Sequence, residues 1–118
     1  MATTVLLVDD HAGFRASARE LLELEGFQVV AEAADGASAL ELARKTRPEL
    51  VLLDVALPDT SGFEVAERLA GTRPQVILVS SRSHKDFGAR ARRCGALGFV
   101  AKEELSAATV RALLGSGR

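Results

Sequence analysis

The sequence predicts an open, mostly parallel α/β sheet covered by helices on both faces. Short apolar runs recur along the whole chain, and amphipathic stretches with helical spacing fill the intervals between them. The length of 118 residues suits one domain with a real buried core. Right-handed crossovers prune the topologies such a chain can adopt.

Val5-Leu6-Leu7-Val8 is short, apolar and β-branched at both ends, and Asp9-Asp10 stops it. Helical spacing follows, with Phe14, Ala18, Leu21 and Leu22 on one face and Arg15, Arg19 and Glu23 displaced from it. Gly26 supplies a left-handed stop for this helix. Gln28 to Ala33 reads as a second strand. Asp35-Gly36 makes a turn, and a helix carrying Ala39, Leu40, Leu42 and Ala43 runs toward Pro48. Leu50-Val51-Leu52-Leu53 is the third strand, stopped at Asp54. Pro58 and a Ser61-Gly62 turn form a loop before a helix with Phe63, Val65, Ala66 and Leu69. Val76 to Val79 is the fourth strand, ending at Ser80-Ser81. A more polar helix spans about Lys85 to Cys94. Leu97 to Ala101 forms the fifth strand before Lys102, and Leu105, Ala108, Val110, Leu113 and Leu114 supply the last helix. Gly115-Ser116-Gly117-Arg118 reads as a flexible end. No repeat, low-complexity stretch or linker divides the chain, so residues 1–118 are expected to form one domain.

Composition narrows the function classes. Apolar residues make up 47% and charged residues 26%, as in ordinary soluble globular proteins. A formal charge of −1 gives no electrostatic bias toward nucleic acid. No apolar run reaches the roughly 18–20 residues that span a bilayer, and Met1-Ala2-Thr3-Thr4 lacks the basic start of a signal peptide. Cys94 is the only cysteine, which forbids an intrachain disulfide and suits a reducing, cytoplasmic setting.

A parallel sheet binds ligands beyond the carboxyl ends of its strands. The polar residues that end the apolar runs are therefore the ones to examine: Asp9 and Asp10, Asp54, Ser80 and Lys102. Carboxylates crowded together repel, and each unit of raised pKa costs about 1.4 kcal/mol. A hard divalent cation relieves that repulsion, and oxygen-only ligands suit Mg²⁺ better than zinc. A carboxylate beside Mg²⁺ can attack a phosphoryl group, with Lys102 and Ser80 available to neutralise and hydrogen-bond its oxygens.

From Val5 to about Leu114 the chain resembles the receiver domains of two-component response regulators, the CheY-like superfamily. The resemblance rests on Val8-Asp9-Asp10, Leu53-Asp54-Val55-Ala56-Leu57-Pro58, Val79-Ser80-Ser81 and Gly95-Ala96-Leu97-Gly98-Phe99-Val100-Ala101-Lys102. Asp9-Asp10-His11 and the ungapped spacing look most like receivers of the NarL/FixJ type. The resemblance implies a flavodoxin-like five-stranded parallel sheet in the order 2-1-3-4-5 with five helices, a three-layer αβα sandwich.

It also implies a set of roles. Asp54 would be the phospho-acceptor and Asp10 the direct carboxylate ligand of Mg²⁺, with Asp9 acting mostly through a water. Asp54 and the Ala56 backbone carbonyl would complete the protein ligands. Ser80 would be the hydroxyl that moves toward the phosphoryl group, Phe99 the aromatic that turns inward with it, and Lys102 the phosphate-binding cation. Small Ser81 would leave the attack path open. The implied partners are a sensor histidine kinase or phosphotransfer protein as donor, and a downstream effector or a second copy as target. The implied chemistry is limited to the domain's own phosphorylation and dephosphorylation. NarL/FixJ-type receivers usually precede a helix-turn-helix domain, which these residues lack; the alternatives are thus a stand-alone receiver or the isolated N-terminal part of a DNA-binding transcriptional regulator, and no direct nucleic-acid or membrane binding by these residues is expected.

Several positions depart from the commonest pattern. Glu103 stands where many receivers have proline, which argues against a cis peptide there. The switch hydroxyl is serine rather than threonine, and the aromatic is phenylalanine, without a hydroxyl to rebond. Ala56 and Arg82 are positions expected to tune how long an acyl phosphate survives. Other features keep simpler readings: His11 exposed beside the acids, Cys94 a small buried hydrophobe, and Arg82, Lys85, Arg90, Arg92 and Arg93 a solvated basic face.

Three competing functions are distinguishable. An aspartyl phosphatase or phosphotransferase needs a second acid two residues past its nucleophile, where this chain has Ala56. A flavin-binding protein on this topology needs a hydroxyl-rich phosphate loop and sandwiching aromatics, against Asp9-Asp10-His11 and no Trp or Tyr. A pseudo-receiver would dock partners constitutively without using its acceptor.

Overall fold

The computed structural model describes residues 2–82 and 84–116. Each apolar run becomes a strand and each amphipathic stretch a helix. In chain order they are β1 (Thr4–Val8), α1 (Ala12–Leu24), β2 (Gln28–Ala33), α2 (Gly36–Thr46), β3 (Leu50–Asp54), α3 (Gly62–Leu69), β4 (Gln75–Ser80), α4 (Phe87–Arg93), β5 (Gly98–Ala101) and α5 (Ala107–Ser116). A 3-10 turn at Lys102–Glu104 separates β5 from α5. All strand pairs are parallel, in the order β2-β1-β3-β4-β5. This is the flavodoxin-like α/β fold expected from the sequence.

The period-two alternation of side chains splits each central strand between two cores. Leu6, Val8, Val51, Leu53 and Leu78 face α2, α3 and α4 through Ala39, Phe63, Val65, Leu69 and Ala91. Val5, Leu7, Leu50, Leu52, Ile77 and Val79 face α1 and α5 through Ala18, Leu22, Ala107 and Val110. Both faces are therefore dry, which is why these strands read as unbroken apolar runs instead of alternating with polar residues. The sulfur of Cys94 donates to the Ala91 carbonyl at 3.1 Å and is buried, in keeping with a packing role; burial pushes its thiol pKa up. Among the described residues no helix is long and apolar enough to cross a membrane.

Element ends depart from the sequence reading for identifiable reasons. The expected turns at Asp35-Gly36 and Ser61-Gly62 are helix starts. Asp35 accepts the Ser38 amide at 2.7 Å and Ser61 accepts the Glu64 amide at 3.2 Å, each satisfying a free first-turn N–H. The fourth helix is shorter than Lys85–Cys94, because Phe87 N–H closes a turn onto the His84 carbonyl before the helix begins. Leu105 lies outside α5, where its amide closes the 3-10 turn onto Lys102, and Ser106 accepts the Thr109 amide instead. Gly115 and Ser116 continue α5, whereas Gly117 and Arg118 of the expected flexible end lie outside the described residues. Gly26, at φ 94°, makes the expected left-handed stop after α1. Arg47 ends α2 at φ 47° and ψ 56°, a left-handed conformation costing a non-glycine residue about 1–2 kcal/mol.

Gly62 holds the sharpest packing constraint. A Cβ there would lie 2.2 Å from the Asp54 carbonyl oxygen and 3.0 Å from Val55 Cα, so α3 starts in direct contact with the backbone of the third strand's end. Gly62→Ala is expected to lower the unfolding free energy by about 1–3 kcal/mol in denaturant titration. Gly13→Ala, whose Cβ meets open space, is expected to stabilise α1 by up to about 1 kcal/mol. Equal stability of the two variants would contradict this account of Gly62.

Candidate functional site

Strand order reverses between β1 and β3: the connection from β1 leads to β2 on one side, and that from β3 leads to β4 on the other. A crevice therefore opens beyond the carboxyl ends of these neighbours. Val8 pairs with Leu53, so Asp9 and Asp54 emerge side by side. Ser80 pairs with Ala101 one strand further on, which places Lys102 within reach of the same edge.

The carboxyl groups of Asp9, Asp10 and Asp54 and the His11 ring each offer an atom within 4.8 Å of the others. Asp9 and Asp54 are buried, with 1% and 4% of their surfaces exposed, while Asp10 and His11 face solvent. Asp9 Oδ1 accepts the His11 amide at 2.8 Å, and His11 Nδ1 lies 3.1 Å from Oδ1 of both Asp9 and Asp10. Lys102 Nζ sits between the buried acids, 2.6 Å from Asp9 Oδ2 and 3.3 Å from Asp54 Oδ2. Asp9 Oδ2 nevertheless accepts no aligned hydrogen bond among the described residues. A buried carboxylate oxygen left in this state, inside a mostly oxygen donor set, fits a hard cation.

Electrostatics follow from the burial. Desolvation and then the Asp9 charge push the Asp54 carboxyl above the ordinary carboxylate range, and Lys102 only partly offsets them. Burial alone would lower the Lys102 pKa. The close contact with Asp9 and the charge of Asp54 outweigh burial and hold the ammonium above its ordinary value.

Asp54 Oδ1 accepts the Ala56 amide at 3.3 Å. Ala56 also pairs with Ser61 in an isolated antiparallel bridge. Its hydrogen bonds run between Leu57 N and Thr60 O, and between Gly62 N and Val55 O. Ala56 is thus the non-bonded member of the bridge, and its own N–H and C=O point away from Ser61, toward the Asp54 side.

Two further residues expected at the site make other contacts. Ser80 is buried and its hydroxyl oxygen accepts the Arg82 amide at 3.0 Å. Phe99 is half-buried and packs edge-on to Phe87, with ring centroids 5.2 Å apart, and Phe87 meets Phe63 in the same manner at 5.6 Å. His11 stands exposed beside the acid pair, as expected.

Three supporting residues were not singled out in the sequence. The Asp59 carboxylate accepts the Gly36 amide at 2.8 Å and the Ala37 amide at 3.0 Å, pinning the loop after Asp54 to the start of α2. These amide bonds hold its carboxyl below the usual range. Phe14 lies under the Lys102 ammonium, with Nζ 4.5 Å from the ring centroid. Arg15 pairs with Glu32 at 3.0 Å and donates to the Asp9 carbonyl, tying the loop after β1 to β2. Asp59 follows Pro58 and reads as a turn residue; Phe14 and Arg15 read as the two faces of a helix. Each role depends on a partner remote in sequence, for which no local signal exists.

The profile of the response regulator receiver domain matches residues 5–113. The chain is 38% identical over 101 residues to the response regulator GacA of Pseudomonas aeruginosa, covering 83% of this chain and 47% of GacA. It is 36% identical over 99 residues to the transcriptional regulatory protein PdtaR of Mycobacterium tuberculosis, covering 83% and 48%. The chain thus spans about half the length of these curated relatives. Among solved structures, a LuxR-family two-component response regulator from Aurantimonas sp. SI85-9A1 superposes with a TM-score of 0.89 at 32% identity, over 100% of this chain and 88% of that one.

The raised Asp54 carboxyl has a signed consequence for stability without metal. The folded state holds the Asp54 proton more tightly than the unfolded state, so this contribution is fully present below the unfolded pKa. It is lost as pH rises through the folded pKa. In chelator, Asp54→Asn is therefore expected to be more stable than the parent at pH 7, with the difference closing as pH falls toward ordinary carboxylate values. Thermal melts across pH check this; a difference that is constant with pH would contradict it.

Proposed function

The chain belongs to the response regulator receiver domain family, and on that premise we propose that Asp54 accepts a phosphoryl group from the phosphohistidine of a sensor histidine kinase or phosphotransfer protein. The observation that carries this reading is the clustering of Asp54 with the acid pair and Lys102, with its Oδ2 3.3 Å from the lysine ammonium.

In the proposed reaction an ionised Asp54 oxygen attacks phosphorus. The new O–P bond forms as the N–P bond of the donor breaks, and the leaving imidazole takes up a proton. Burial disfavours the ionised acceptor, so counter-charge must come from the site. Lys102 would bind the transferred oxygens after exchanging part of its contact with Asp9 for one with the phosphoryl group. Asp10 and Asp54 would hold Mg²⁺ directly, Asp9 mostly through a water, and the outward-facing Ala56 carbonyl would complete the protein ligands. When bound, Mg²⁺ supplies charge neutralisation for the clustered acids and the transferring oxygens. Ala56 puts an exposed methyl, with no polar group, two residues past the acceptor.

The domain works as a signalling module whose chemistry is the gain and loss of its own phosphoryl group. We further propose that Ser80 then leaves the Arg82 amide for the phosphoryl group and that Phe99 follows it inward. Phe99 is packed on Phe87, so its movement would shift α4 and the surface around Lys85–Cys94 and Phe99–Leu114. That surface would select a downstream effector or a second copy.

Incubation with acetyl phosphate and Mg²⁺ is expected to add the mass of one phosphoryl group to the parent and none to Asp54→Asn. A gain retained in the variant would remove Asp54 as acceptor. Beryllofluoride with Mg²⁺ is expected to shift amide resonances across residues 85–94 and 99–114. Resonances that stay in place there, with the site itself occupied, would overturn the switching surface and favour constitutive docking.

A further inference from the structure

A second site lies at the opposite edge of the sheet from Asp54. Helices in this fold run back against their strands, so α2 and α3 both end at the amino-terminal edge. Between those ends is a groove of about 510 Å³ lined by Arg44, Arg47, Arg68 and Arg73, all exposed. Its apolar wall is built by Leu40, Ala43, Leu69 and Pro74. That volume is in the range of small-molecule sites.

The arginines are not explained by pairing within the fold. Arg15, Arg19, Lys45 and Arg111 each meet a carboxylate, but none of the four groove arginines does so among the described residues. The partial negative charge of a helix end attracts cations in its last turn, which accounts for Arg44 and Arg68. It reaches Arg47 too, at the C-cap of α2, but does not account for Arg73, which lies beyond α3. Arg47 occupies the left-handed position after α2 at φ 47°, where glycine would be relaxed. A long cationic side chain held on strained backbone beside three others is a reason to look for a ligand.

We propose that this groove binds a small organic polyphosphate of the nucleoside diphosphate class. Guanidinium groups bind phosphate oxygens bidentately, and four of them within one groove match adjoining phosphates better than the singly charged, spaced carboxylates of a peptide. Leu40 and Pro74, both partly exposed, offer the apolar surface on which a flat base rests. The site is separate from Asp54, at the other edge of the sheet.

The test is a titration of the isotopically labelled chain followed by amide resonances, in chelator so that the acidic cluster cannot recruit nucleotide through a metal. The probes are ADP, inorganic pyrophosphate and adenosine. ADP is expected to shift Arg44, Arg47, Thr72 and Arg73 saturably and to bind at least about tenfold more tightly than pyrophosphate, with adenosine silent below roughly 1 mM. Arg47→Gly suits the left-handed backbone, so its melting temperature should equal or exceed the parent's while ADP affinity falls at least about tenfold. Absence of a saturable shift with ADP to roughly 1 mM would overturn the site. Undiminished affinity in Arg47→Gly would overturn it as well, and equal binding of pyrophosphate would overturn the nucleotide assignment.

Discussion

Two buried carboxylates at the ends of neighbouring strands set the terms for the rest of this molecule. Asp9 and Asp54 are almost fully removed from water and face each other across one lysine. An uncompensated buried ion costs several kcal/mol, roughly, so the arrangement exists only because Lys102 is delivered between them. That delivery needs β5 beside β4 and β4 beside β3, with each strand ending level with its neighbours. The parallel sheet is thus the device that assembles the charge cluster. The ammonium is closer to Asp9 Oδ2, at 2.6 Å, than to Asp54 Oδ2, at 3.3 Å, so the lysine is shared unequally between the two acids.

Rigidity around the cluster comes from contacts that do no chemistry. Gly62 lets α3 press onto the backbone of Asp54, and the Asp59 carboxylate ties the intervening loop to the first amides of α2. Arg15 fixes the loop that carries Asp9 and Asp10, while Phe14 supports Lys102 from beneath. The face carrying α4 is built differently. Its helix is short, and beside the buried Ala91 its contacts run through the edge-on rings of Phe87 with Phe99 of β5 and Phe63 of α3. Rings packed edge to edge admit a second arrangement more readily than backbone held by hydrogen bonds, so mobility is better placed here than around Asp54.

The two ends of the sheet carry opposite charge. The carboxyl edge gathers Asp9, Asp10 and Asp54, and the amino edge between α2 and α3 gathers four arginines. Helix dipoles run in the sense that favours cations at that second edge. The near-neutral formal charge of −1 conceals this polarity, because it sums charges over the whole chain without regard to where they lie. Net charge therefore describes the chain as a whole and says little about either edge.

What the sequence determined by itself was the order of elements and the short list of residues at the site. Apolar runs doubly buried by flanking helices leave an unmistakable pattern, and the residue that ends each run is visible as the first polar side chain after it. Asp9, Asp10, Asp54 and Lys102, which the sheet brings together, are legible for that reason, as is the resemblance to receiver domains. Asp35-Gly36 and Ser61-Gly62 were misread as turns, since a capping oxygen and a turn draw on the same residue types. The tertiary structure alone decided which distant groups meet. Asp59 on the α2 amides, Phe14 beneath Lys102, Gly62 against Asp54 and the arginines of two helix ends are all contacts between segments that no local period connects. Periodicity reports which way a side chain faces; only the packed sheet and its crossovers decide what stands opposite it.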